Sequence, residues 1–310
     1  MRERLGRTGV WLAPPTLAVT PADVERRAAT RIEELGYGSL WSGETIGGKE
    51  AFAHHGILLA ATRTLVIGTG IANLWARHGA AMHGGGATLA QAYPGRFVLG
   101  LGISHRPLVE HSGQSYDRPL RRMTAYLDQM DAAADGAPPA PFPRVLGALR
   151  PRMLELARER TDGVQPFLVP VEHTARARRI LGPDKLLIPH QAVVLDTDPV
   201  SARATARANL AARGLPSPYA NNLRDLGYDE DDLAGSLSDR LLDAIAVWGD
   251  ETTIARRVQE HLDAGADHVL VHPLAGAGTV PDPRPDDVPA MVEVLERLAP
   301  ALPLGPSPAG

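Results

Sequence analysis

The 310-residue sequence contains no cysteine, which excludes disulfides, thiolate metal centres and thiol nucleophiles, so the fold must stand on packing alone. It lacks any apolar run of the roughly 18 residues that a membrane-spanning helix needs. Residues 1–30 read charged and then amphipathic, with no apolar stretch leading to a small-residue cleavage site, and a cytoplasmic location is expected. Positive charge is not in surplus either: 32 basic against 36 acidic side chains leave −4, no field to hold a nucleic-acid backbone. Two catalytic motifs are missing. Without a Gly-x-Ser-x-Gly elbow, since Ser104 sits in Gly-Ile-Ser-His-Arg, the run His83-Gly84-Gly85-Gly86 is no esterase oxyanion loop. Its glycines fall in a helical pattern and are expected to serve close helix-to-strand packing. Without His-Glu-x-x-His, or His-x-His ending an early strand, the 11 histidines do not predict a metal site. The adjacent His54 and His55 should point apart on a helix.

What is present is an alternation of β-rich runs with helical patterns. Strands are predicted at Thr8–Leu12, Ser39–Ser42, Leu65–Ile71, Phe97–Ile103, Arg144–Leu149, Gly163–Val169, Leu187–Leu195 and His268–His272. Between them run apolar stripes at helical spacing: Val24, Ala28, Ile32 and Leu35; Leu120, Met123, Leu127 and Met130; Ile254, Val258 and Leu262; Val288, Met291, Leu295 and Leu298. Thr20 before Pro21 reads as the first stripe's N-cap, and Gly36 and Gly265 as left-handed residues past two helix ends.

Strands joined by helical crossovers are parallel and need helices over their faces, and eight such units close most economically as a (β/α)₈ TIM barrel. The rival is a doubly wound open sheet. Its support, Gly68-Thr69-Gly70 and Gly100-Leu101-Gly102, is weak, because neither opens a helix directly with a third glycine. Residues 1–300 are expected to form one domain, with 132–143 as an internal loop, 214–238 as an acidic excursion and 301–310 as a frayed tail.

A barrel builds its site from the loops after its strands. After the second lie Glu44 and Thr45, after the third Asn73, Trp75, Arg77 and His78, and after the fourth Ser104, His105 and Arg106. Glu44 reads as a catalytic carboxylate or as a structural partner of a nearby arginine. His78 is a catalytic candidate or a helix cap, and His105 a candidate or an exposed loop residue. Where the fifth strand ends, Leu146 to Arg152 place a helix start with proline in its first turn beside Arg150 and Arg152. This is an anion-binding arrangement or a plain junction.

Taken in order, Glu34-Leu-Gly-Tyr-Gly-Ser-Leu-Trp41, Gly68-Thr-Gly-Ile-Ala-Asn73 with Arg77-His78, Pro94-Gly-Arg-Phe-Val-Leu-Gly-Leu-Gly-Ile-Ser-His105, Asp162-Gly163, Trp248-Gly-Asp250 and Ala264-Gly-Ala-Asp-His268 resemble the luciferase-like monooxygenase superfamily. Within it they are similar to the oxidoreductases that use the deazaflavin coenzyme F420. The resemblance implies a luciferase-like TIM barrel, usually dimeric, with the cofactor ring across the strand ends. It implies a cis peptide at Gly70-Ile71 behind the ring, with Asn73, Gly102 and Ile103 lining the cofactor and Ala148, Leu149, Arg150 and Pro151 taking its phosphate.

One departure stands out. Many deazaflavin members carry an Asp-His pair after the second strand, where this chain has Glu44-Thr45, and threonine cannot shuttle a proton as imidazole can. Glu44, His78 or His105 then takes that role, with Trp11, Thr45 and Trp75 walling the substrate pocket. The expected activity is hydride transfer between coenzyme F420 and a small organic substrate. The alternatives are an FMN-dependent monooxygenase, or a barrel that has lost redox duty and serves as a non-redox catalyst or binding subunit.

Overall fold

The structure is a computed structural model that describes residues 1–210, 215–275 and 282–305. Its strands are β1 (Thr8–Leu12), β2 (Ser39–Ser42), β3 (Val66–Thr69), β4 (Ala72–Asn73), β5 (Phe97–Gly102), β6 (Arg144–Leu146), β7 (Gly163–Val164), β8 (Leu186–Leu187), β9 (His190–Val194), β10 (Ala246–Trp248) and β11 (Val269–Pro273). Every ladder between them is parallel. Ladders run β11-β1-β2-β3-β5-β6-β7-β8, and β9 returns to β11. β8 and β9 are one strand in two pieces. Across their junction Ile188 N–H bonds Val164 O (3.0 Å) on one side and Leu270 N–H bonds Pro189 O (2.9 Å) on the other. This closes a ring of eight strands, the predicted barrel; β10 is an extra edge strand against β9.

β1 and β2 have the predicted bounds. The third predicted strand is interrupted by a cis peptide at Gly70-Ile71, which separates β3 from β4. The fifth and sixth are shorter than predicted, because the chain leaves the ladder at Gly147 and Gln165 to build the rim.

Inside the ring Trp41, Val66, Val98, Val145, Leu186, Ile188 and Leu270 pack, closed from below by Leu5. The glycine pairs are what this filling requires. A β-carbon on Gly68 would overlap the Trp41 ring, and one on Gly100 the Thr69 carbonyl. They are packing glycines, not a dinucleotide fingerprint. At the floor one polar chain is fully matched: Trp41 Nε1 donates to Ser39 Oγ (2.8 Å), Ser39 pairs with His268 Nε2 (2.7 Å), and His268 Nδ1 donates to Gly6 O (3.1 Å).

Outside the ring the predicted stripes are buried, except for the half-buried Val24, Leu35 and Leu120, with Ile254, Val258 and Leu262 on helix Glu251–Asp263 among the buried. Each such side chain contributes about 1.5–3 kcal/mol. Gly36 and Gly265 have φ of 88° and 102°. Thr20 does not cap the helix Ala22–Glu34. Its hydroxyl bonds Thr16 O (2.8 Å), ending the preceding turn instead, and Pro21 occupies the N-cap.

Gly85 and Gly86 lie in the helix Gly79–Ala92, where their α-carbons face the rings of Phe52 and Phe142 rather than a strand. Nothing in the structure explains Gly84. Residues 301–305 are not frayed: Leu302 is buried and Thr8 Oγ1 bonds Pro303 O (2.9 Å). Residues 306–310 lie outside the described residues, as do 211–214, of which only 214 belongs to the predicted excursion. The rest of the excursion forms helices Ser217–Arg224 and Glu230–Leu233, and helix Asp239–Ile245 follows it. Among the described residues no helix is long and apolar enough to cross a membrane.

Candidate functional site

The carboxyl ends of the strands carry an aromatic and imidazole cluster inside the ring. Trp11 projects inward from β1 and reaches the strand break, where its Nε1 donates to Gly70 O (3.1 Å). Its ring meets Phe167 (4.7 Å), His272 (4.7 Å) and His190 (5.3 Å). Phe167 lies over His190 at 3.9 Å between centroids, and Tyr219, from the excursion, touches Phe167 and His105. The excursion therefore covers the mouth from above.

Beside this cluster is a floor of backbone. The Ile71 side chain rests on Gly102 and Gly147: a β-carbon on Gly102 would overlap it, and one on Gly147 would stand 3.1 Å from it. Gly70 is as tight, with Trp11 Nε1 3.1 Å from where its β-carbon would be. Asn73 is buried, its Oδ1 accepting from Trp75 N (3.1 Å), while Trp75 Nε1 donates to Ile103 O (2.8 Å). Arg122 lies over the outer face of Trp75 at 4.5 Å. The predicted wall and ring-lining residues thus come together, except Thr45, which is exposed on a turn closed by Gly48 N–H to its carbonyl (2.8 Å).

From Gly147 the chain runs through Ala148 and Leu149 to Arg150, which caps helix Pro151–Arg160. Leu149 O accepts from His173 Nε2 (2.7 Å) and Arg176 Nη2 (3.3 Å), and Arg176 also bonds Asn222 Oδ1. Arg150 itself is turned to Asp225 (2.8 Å). The half-buried cation at this junction is Arg176, which burial makes less basic than usual.

The predicted acid–base candidates separate by their partners. Glu44 has a side chain 4% exposed, and both oxygens are taken by the Arg77 guanidinium; they also accept from Asn73 N (2.8 Å) and Ala51 N (3.2 Å). This is the arginine-paired arrangement, and it fixes the backbone of Asn73. His78 is exposed and caps its helix, Nδ1 accepting from Ala80 N (3.2 Å). His105 is partly buried, which pushes its pKa down, and its Nδ1 has no partner. His54 and His55 do not point apart as predicted: their rings meet edge to face at 5.2 Å, with His54 on Glu25 and His55 on Gly68 O.

A native interior leaves few buried polar atoms unmatched, so those that remain mark places built for something else. Among the described residues they are His105 Nδ1, Gln165 Nε2, His173 Nδ1, Arg176 Nε, His190 Nδ1, Asn222 Nδ2 and His272 Nε2. All belong to the mouth or to the junction at Leu149. Only His105 was singled out from sequence. Gln165 and Phe167 were within reach of the strand-end rule, but the sixth strand was drawn through them. His190, His272, Arg176 and Asn222 give no local signal.

A flat ring carrying a phosphate fits these residues. The floor at Ile71 offers only backbone and one aliphatic side chain, and two residues beyond Gly147, at Leu149, Arg176 Nε and Asn222 Nδ2 are unpartnered donors beside a helix start.

The family model described as luciferase-like monooxygenase matches residues 5–268. A 5,10-methylenetetrahydromethanopterin reductase of Archaeoglobus fulgidus is 24% identical over 296 residues, covering 81% of this chain and 88% of that protein. The solved coenzyme F420-dependent tetrahydromethanopterin reductase of Methanopyrus kandleri superposes with a TM-score of 0.72 at 16% identity, covering 95% and 99%. The FMN-bound oxygenating constituent of 3,6-diketocamphane monooxygenase from Pseudomonas putida superposes with 0.64 at 14%, covering 96% and 99%.

Proposed function

Because the chain belongs to the luciferase-like monooxygenase family, we propose that it is an oxidoreductase passing a hydride between a deazaflavin of the coenzyme F420 type and a small organic substrate. The observation that supports this most directly is the continuity of floor and anion site. Gly147, under Ile71, and Leu149, bonded to Arg176, are two residues apart, so one short loop serves both ring and phosphate. When bound, the deazaflavin supplies the ring carbon that gives or takes the hydride. Ile71, Gly102 and Ile103 would back the ring, Asn73 would line its edge, and Ala148 to Pro151 with Arg176 and Asn222 would hold the phosphate. Trp11, Phe167 and Tyr219 keep water from the reacting face.

FMN would present a similar ring and phosphate to the same residues, and the likeness to an FMN-bound monooxygenase supports it as the second reading. Titrating the purified protein with coenzyme F420 and with FMN, following fluorescence, separates the readings. Tight binding of the deazaflavin alone supports the first, of FMN the second, and no response to either returns a barrel without redox duty. The family resemblance also brings a homodimer and a cytoplasmic location into the proposal; sedimentation of the purified protein checks the former.

A further inference from the structure

The exchange of Glu44-Thr45 for an Asp-His pair leaves the proposed reaction without an obvious proton carrier, and the mouth of the barrel holds one candidate built for that task. His190 opens β9 and His272 lies on the neighbouring β11, in register with Ala192 two residues along. Their side chains meet inside the ring, His190 Nε2 to His272 Nδ1 at 3.0 Å, each in edge contact with Trp11, whose Nε1 donates to the Gly70 carbonyl. Both are buried, and the outer nitrogen of each, His190 Nδ1 and His272 Nε2, has no partner.

We propose that His190 and His272 form a two-imidazole relay that exchanges a proton with the substrate heteroatom as the hydride moves. The inference rests on the redox reading above. Burial holds both rings neutral at pH 7, His272 at about 3 and His190 well below its ordinary value. Two neutral imidazoles carry two N–H protons over four nitrogens. One proton lies in the bridge, so of the two outer nitrogens one is an N–H donor and the other a lone pair. Moving the bridging proton across exchanges those roles. The pair thus gives a proton at one end and takes one at the other, ending neutral.

For a ketone substrate the balance is complete. The carbonyl carbon takes a hydride from the reduced deazaflavin, the C=O π bond breaks, and the oxygen takes the proton of the outer N–H. The bridging proton shifts, and the far nitrogen, closed to solvent in this structure, recovers its proton from water that enters between turnovers. The carbonyl is reduced to an alcohol and the deazaflavin is oxidised.

The other buried histidines form no such bridge, and although His173 also has an unmatched Nδ1, its Nε2 is held by the Leu149 carbonyl and has no second imidazole to pass a proton to. His268 is matched at both nitrogens by Ser39 and Gly6, and His261 by Thr174 and Gln191. Among these buried rings, only the pair at the mouth bridges imidazole to imidazole.

Two measurements test this. In protein labelled with ¹⁵N-histidine and carrying no cofactor, long-range ¹H–¹⁵N spectra at pH 7 should show both rings neutral, with nitrogen shifts averaged between tautomers that collapse to fixed ones in His272→Gln. Two fixed tautomers in the wild type, or an imidazolium, would overturn the relay. In single turnovers of reduced coenzyme F420 against short-chain ketones, His190→Gln and His272→Gln should slow oxidation by about 100-fold or more, with deazaflavin affinity kept. Variants that bind the cofactor and react at the wild-type rate remove the relay and leave the redox reading standing. Failure of the wild type to bind either cofactor removes the redox reading, and the relay's substrate with it.

Discussion

Glu44 and the histidine pair show opposite uses of a buried titratable group. Glu44 is matched on both oxygens, and its carboxylate holds Arg77 and the Asn73 backbone together, while Glu50 adds a second, half-exposed carboxylate to Arg77 at 2.7 Å. Replacing Glu44 by glutamine turns an acceptor toward the guanidinium into a donor and leaves a buried cation on its weaker partner. We expect Glu44→Gln to lose about 3 kcal/mol of unfolding free energy by urea titration, the lower end of the roughly 3–5 kcal/mol range for breaking a buried pair, because Glu50 still partners Arg77. A loss under 0.5 kcal/mol would mean that the pair does not organise this rim. Glu44 was legible because a strand end is followed by an acid, and its structural alternative was legible too. What decides between them, an arginine 33 positions away, is not in the local pattern. The same holds more strongly for His190 and His272, 82 positions apart, whose meaning lies entirely in the bond between them.

Helices and strands were read from periodicity, and most of what periodicity governs came out as read: the ring, the stripes, the glycine stops. The misses are tertiary. β8 and β9 are parted by Pro189, and β10 forms only because β9 extends past its neighbour; the strand break at Gly70 was visible only through family resemblance. The three glycines of helix Gly79–Ala92 separate propensity from packing at adjacent positions. A β-carbon on Gly84 meets nothing within 4 Å, whereas on Gly85 it would stand 2.5 Å from the Phe52 ring. Phe52 cannot easily retreat, held between Arg77 at 5.1 Å and Phe97 at 6.2 Å. Gly84→Ala should therefore raise unfolding free energy by about 0.8–1 kcal/mol, the glycine penalty of a helix interior, and Gly85→Ala should lower it by about 1–3 kcal/mol. Equal effects of the two in urea titration would show that the helix does not rest on Phe52.

For the whole molecule, the most consequential feature of the composition is how many histidines are enclosed. Burial lowers the pKa of His55 to about 3, His173 to about 4, His261 to about 3, His268 to about 4 and His272 to about 3, and takes His190 well below its ordinary value. In the unfolded chain each of these six titrates near 6.5, so between that pH and about 4 the unfolded state binds protons that the folded state refuses. Stability therefore rises with pH across this window and falls as pH drops through it. With all six protonated in the unfolded chain the slope approaches about 8 kcal/mol per pH unit, at about 1.4 kcal/mol for each proton. Against a total stability of about 5–15 kcal/mol, the window is wide enough to unfold the protein before its buried histidines titrate in place. Urea midpoints measured at pH 7, 6 and 5 should already fall between the first two, by about 4 kcal/mol of stability for six sites titrating near 6.5, and more steeply toward the third, by about 7 kcal/mol, with the acid transition complete above about pH 4. Calorimetric unfolding in buffers of different ionisation heat should show net proton uptake at pH 5. A midpoint unchanged from pH 7 to pH 5 would mean that these rings are charged or solvated in the folded chain, and a neutral imidazole relay in the barrel mouth could not then exist.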